Sequence, residues 1–125
     1  MLATTVLVLL DDAELGGAEA GILRDEGLEA QVATRREDAR ARLRAVPAPD
    51  VLFTDLAFGN DPGAAAGLLA ELRADPACTA LSLVVMSELP VPPDHPVRAL
   101  ARVLEEPFQL EDLLRAVRAG GPERP

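Results

Sequence analysis

The chain has 125 residues and contains no lysine, no tyrosine and no tryptophan. All of its positive charge therefore comes from arginine. Chemistry that needs a lysine amine is excluded, and so is a switch built on a tyrosine ring. The single cysteine, Cys78, has no partner for an internal disulfide. The single histidine, His95, is too few to complete a zinc site with one cysteine. The simplest reading makes Cys78 a small, half-buried residue and His95 a loop residue among prolines. Basic residues are scarce as well, 12 against 21 acidic ones, for a net charge of −9. That balance excludes nucleic-acid binding by phosphate neutralisation and disfavours anionic membrane surfaces. Long apolar runs are also lacking. The run Val6–Leu10 is too short for a signal or spanning segment and ends in Asp11 and Asp12. A cytoplasmic location is expected.

Nearly half of the residues are hydrophobic, enough for one domain with a single core. Short apolar runs alternate with helical patterns. Strands are expected at 5–10, 29–33, 50–55, 81–87 and 102–105, with 29–33 nearer an edge. Helices are expected at 13–27, 35–46, 64–74 and 110–119. Thr34 and Glu37 have the spacing of a capping box for the second helix. Residues 56–63 read as a loop rich in turn formers. The segment "ELPVPPDHP" carries four prolines in nine residues, so the helix there is short, beginning near Val97 and stopping before Val103, or absent. Residues 1–119 then form one domain and 120–125 a flexible tail. The last helix sets Leu110, Leu113, Leu114 and Val117 on one face.

Strand–helix alternation with nearly continuous apolar strands predicts an α/β doubly wound domain, a parallel sheet covered on both faces. Function in such folds collects at the carboxyl ends of the strands. Those ends carry Asp11 and Asp12, Asp55, Ser87 and Glu106. If the first and third strands are neighbours, Asp11, Asp12 and Asp55 converge as hard oxygen ligands suited to Mg²⁺ or Mn²⁺. A carboxylate beside such an ion can act as a nucleophile toward a phosphoryl group. One of Asp11 and Asp12 is also placed to cap the helix beginning at Ala13. No Gly-rich phosphate loop, flavin-stacking aromatic or catalytic Cys or His stands at a strand end, so an enzyme on this scaffold has no support.

The stretches "VLVLLDD", "DVLFTD", "RADPACTALSLVVMSE" and "PFQLEDLLRAV", in that order and over residues 4–119, resemble a CheY-like receiver domain of two-component response regulators. The resemblance implies a five-stranded parallel sheet in the order 2-1-3-4-5. It implies that Asp55 accepts phosphate from a histidine kinase, that Asp11 and Asp12 hold Mg²⁺ together with Asp55 and the Ala57 carbonyl, and that the Ser87 hydroxyl closes on the phosphoryl group. It further implies a cis peptide before Pro107.

The chain departs from that family where the phosphoryl group would be sensed. Glu106 stands in the place of the lysine before Pro107, and no lysine exists elsewhere. One unit charge at about 5 Å contributes roughly 3 kcal/mol at an effective dielectric near 20, before screening, so reversing its sign matters. Arg102 lies about 13 Å back along the strand, too far to substitute. Val103 replaces the aromatic switch residue, Glu88 a small residue, and Gly59 and Pro62 the usual loop pair. The expectation is an atypical or pseudo-receiver that works through protein contacts with weak or no phosphorylation. Its partners are then a histidine kinase or other signalling protein, or a second copy in a homodimer. Phe58 is either an exposed anchor or a core residue.

Overall fold

The computed structural model describes residues 3–58 and 62–119. The expected tail at 120–125 and the loop position Gly59 lie outside the described residues. Strands β1 (Thr5–Leu9), β2 (Glu29–Ala33), β3 (Val51–Asp55), β4 (Ser82–Ser87) and β5 (Arg102–Glu105) alternate with helices α1 (Ala13–Asp25), α2 (Arg36–Leu43), α3 (Pro62–Ala74), α4 (Val97–Leu100) and α5 (Leu110–Ala119). The strands form one sheet in the order β2-β1-β3-β4-β5, all pairs parallel. This is the doubly wound order 2-1-3-4-5 expected from the sequence.

The strand period of two divides the core into two layers. Leu7, Leu9, Leu52, Leu83 and Val85 point to one face and pack with Leu43, Leu68, Leu69 and Leu72 of α2 and α3. Val6, Val8, Phe53, Val84 and Met86 point to the other and pack with Ala20 and Leu23 of α1 and with Leu113 and Val117 of α5. The central strands are buried on both sides, which is why they read as unbroken apolar runs. Phe58 is 7% exposed and joins the first layer, so it is a core residue. Cys78 is buried, deeper than expected, and burial pushes its thiol pKa up.

Several boundaries differ from the sequence expectations. The second helix ends at Leu43 rather than residue 46; beyond it Val46 is 96% exposed and the Val46–Pro47 peptide is cis. The capping box at Thr34 and Glu37 is not made. The N-cap is Arg35, which provides no side-chain cap, and Glu37 is held low in pKa first by its backbone hydrogen bond and then by neighbouring arginines. The third helix begins at Pro62, inside the expected loop, because Pro suits a first helical position. The fourth helix is a single turn, opened by the Val97 N–H donating to His95 Nδ1 at 3.0 Å.

Glycines in α1 test the packing. A Cβ on Gly16 would meet Val32 Cγ1 at 3.0 Å, whereas one on Gly17 meets nothing within 4 Å. Gly17→Ala is expected to stabilise the fold by roughly 0.5–1 kcal/mol through helix propensity. Gly16→Ala is expected to gain less or to destabilise, because Val32 must give way. Urea midpoints for the two variants measure the difference.

Candidate functional site: a carboxylate rim

β1 and β3 are neighbours, and so are β3 and β4 and then β4 and β5. Their carboxyl ends therefore open onto one rim of the sheet. Asp55 closes β3, Ser87 and Glu88 follow from β4, and Glu106 follows β5, held in the ladder by its N–H donating to the Ser87 carbonyl at 2.8 Å. The Glu106–Pro107 peptide is cis.

Asp55 is half-buried, and its Oδ1 accepts from the Ala57 N–H at 2.8 Å. Burial pushes its carboxyl pKa up; the Ala57 hydrogen bond opposes this, and the charges of Glu88 and Asp11 add to the rise. Glu106 is raised too, by partial desolvation and then by Glu88 and Asp55. Glu19 of α1 is raised by burial and by Glu106. Asp55 and Glu106 thus feel Glu88 and one another as like charges, with Asp11 acting on Asp55 and Glu106 on Glu19.

Asp12 is committed differently. Its Oδ1 accepts from the N–H groups of Glu14 and Leu15 at 2.9 and 3.1 Å, capping α1. Of the two aspartates after β1, Asp12 is the cap. Among the described residues no group of three or more His, Cys, Asp or Glu side chains is arranged to hold a metal ion.

Ser87 is buried, and its hydroxyl is engaged by its own chain. It donates to the Leu89 carbonyl at 2.7 Å and accepts from the Leu89 N–H at 3.2 Å. This turn starts the proline-rich segment, which is fastened at its other end. Glu105 Oε2 accepts from the Val91 N–H at 2.7 Å and from Arg98 Nη2 at 2.9 Å. Arg98 Nη2 also donates to the Val91 carbonyl at 2.7 Å, and its Nε donates to the Pro92 carbonyl at 3.1 Å. A pocket of about 250 Å³ lies between this segment and Asp55, walled by Leu56, Leu89, Pro90 and Val91.

Glu88 was visible in the sequence as a charged residue after Ser87, but not as the neighbour that acts on both Asp55 and Glu106. The Arg98–Glu105–Val91 tie had no sequence signal, since it joins a loop to a strand in a pattern no motif encodes.

Comparison with solved structures agrees with the geometry. A response regulator receiver protein from Pseudomonas putida superposes with a TM-score of 0.79 at 28% identity, covering 95% of this chain and 98% of its own. A response regulator from Thermotoga maritima gives 0.75 at 24% identity, covering 95% and 98%. The signal receiver domain of a response regulator from Bermanella marisrubri gives 0.76 at 21% identity, covering 94% and 98%. The fold is that of CheY-like receiver domains. No protein-family model matches the sequence, and no curated protein matches it significantly. No helix of the described residues is long and apolar enough to cross a membrane.

Within the receiver fold, the raised carboxylates set a pH dependence. A carboxyl whose folded pKa lies above its unfolded value binds its proton more tightly in the native state, so its contribution to stability falls as pH rises through that interval. Glu106→Gln removes one such charge. A small rise in Tm is expected at neutral pH, vanishing below about pH 4, where the glutamate is protonated in both states. Thermal melts of the two proteins at both pH values check it.

Proposed function

We propose that this chain is a pseudo-receiver: a signalling module of receiver type that acts by binding other proteins, with phosphorylation of Asp55 weak or absent. The observation that carries the reading is the like-charge coupling of Asp55, Glu88 and Glu106, in a chain without lysine. An aspartyl phosphate adds negative charge to the carboxylate that bears it. Glu106 opposes that charge where a cation would offset it. The hydroxyl expected to follow a phosphoryl group, that of Ser87, is already paired with Leu89. Nothing in this reading needs the chain to be an enzyme.

The donor chemistry fits Mg²⁺ in a limited way. Such an ion needs only one or two carboxylates when it keeps its waters. Asp11 and Asp55 are the pair that would hold it, with the Ala57 carbonyl as the resemblance implies, and Asp12 would remain on the α1 cap. When bound, the ion would supply positive charge to the rim.

Partners of this reading are proteins: a histidine kinase, another signalling protein, or a second copy of the chain. The net charge of −9 gives nucleic acid and anionic membranes no purchase. The experiment is to incubate the protein with acetyl phosphate and Mg²⁺ and weigh it intact. The wild-type mass is expected to stay unchanged, and Glu106→Lys is expected to gain a phosphoryl group that Asp55→Asn in the same background abolishes. A stable wild-type adduct lost in Asp55→Asn would overturn the proposal and assign a conventional phospho-acceptor.

A further inference from the structure

The pocket between the proline-rich segment and Asp55 joins two kinds of surface. Leu89, Pro90 and Val91 wall it, while Asp55 and Glu88 bring two carboxylates to the same space. Among the described residues, no arginine lines it. The His95 imidazole, also in the lining, accepts from the Val97 N–H through Nδ1 and so donates only through Nε2. None of the ion pairs among the described residues uses Asp55 or Glu88. Arg98, which follows the segment, is turned to Glu105 and the Val91 carbonyl.

Size decides between a free ligand and a side chain. Pockets that enclose a small molecule hold about 300–1,000 Å³, and this one holds about 250 Å³. It suits one side chain better than a nucleotide or a flavin. Its charge selects a cation, and its walls select an aliphatic stem. Arginine carries both, because its methylenes lie along apolar surface while its head reaches a polar site. Its planar fork can donate to two carboxylates at once, which an ammonium does less well. Asp55 Oδ1 accepts from the Ala57 N–H, and a carboxylate has about four acceptor sites, so capacity remains. At the lip of the pocket Leu89 is 74% exposed, an apolar surface that chain flanking the arginine would cover. Ser87 and Glu105 already fasten the walls, so less ordering is needed on binding.

We infer that this pocket receives an arginine side chain of a protein partner, with its guanidinium between Asp55 and Glu88 and its stem against Leu89 and Pro90. The partner thereby supplies the cation that this chain lacks at its rim. The feature recognised is an arginine flanked by apolar residues. The inference rests on the reading of the chain as a protein-binding module and names the chemistry of what it binds. Binding is measured without a phosphoryl donor, so its failure and a failure of the phosphorylation result are read separately.

The probe is the peptide acetyl-Leu-Arg-Leu amide, titrated at millimolar concentrations into the ¹⁵N-labelled full chain with EDTA present. Saturable amide shifts are expected at Ala57, Leu89 and Val91. The same peptide with citrulline in place of arginine keeps the shape, loses the charge and is expected to leave them unmoved. Glu88→Gln and Leu89→Ser, both at exposed positions, are each expected to weaken the peptide by about three-fold. Asp55→Asn, at the half-buried position, is expected to weaken it by about ten-fold. Glu111→Gln, at an exposed position on α5, is expected to change nothing. An absence of shifts overturns the inference. So do shifts that the citrulline peptide reproduces, or that Glu111→Gln weakens as much as Glu88→Gln does. Butylguanidinium binding as tightly as the peptide also overturns it, assigning the pocket to a free small cation.

Discussion

Like charges held at one rim of a sheet constrain everything else in this molecule. The order β2-β1-β3-β4-β5 fixes which strand ends meet, and here those ends bring Asp11, Glu88 and Glu106 within electrostatic reach of Asp55. Burial of Asp55 adds to the cost of charging it. No arginine is among the causes that act on Asp55 or Glu106. Several of the arginines serve elsewhere: Arg40 pairs with Glu71, Arg98 with Glu105, and Arg24 donates to the Ala30 carbonyl. On the proposed reading, electrostatics is what separates this chain from a receiver that would welcome a phosphoryl group.

The proline-rich segment after β4 follows the same logic. A longer fourth helix would have needed backbone donors that Pro90, Pro92, Pro93 and Pro96 lack. The chain instead uses side chains as fasteners: Ser87 on Leu89, Glu105 on Val91, Arg98 on Val91 and Pro92. Two of these fasteners, Glu105 and Arg98, are charged, and hydrogen bonds to charged groups are the stronger kind. A surface fixed in this way suits a binding module better than a switch.

Much of this was legible in the sequence. The unbroken apolar runs at 5–10, 50–55 and 81–87 announced buried parallel strands, and the prolines announced a curtailed fourth helix. Asp55, Ser87 and Glu106 could be placed at strand ends because β-strands end where apolar residues give way to polar ones. The misreadings arose where local signals compete. Thr34 with Glu37 satisfies the spacing of a capping box, yet the chain enters α2 one residue later, at Arg35. "LRAV" continues a helical pattern past Leu43, but nothing buries Val46, so the helix stops. Asp11 and Asp12 look alike in sequence; only the path of the turn into α1 makes Asp12 the cap. Contacts between loops and strands, such as Arg98 with Glu105, carry no periodic signature.

The account turns on the protonation behaviour of two side chains. Titrating the carboxyl carbons of Asp55 and Glu106 by NMR, in the wild-type protein without added divalent ions, reads it directly. Both midpoints are predicted to lie above the ordinary values for their residue types, with Asp55 raised chiefly by burial. Midpoints at or below those values would mean that a cation or extra hydrogen-bond donors already neutralise the rim, and would contradict the account.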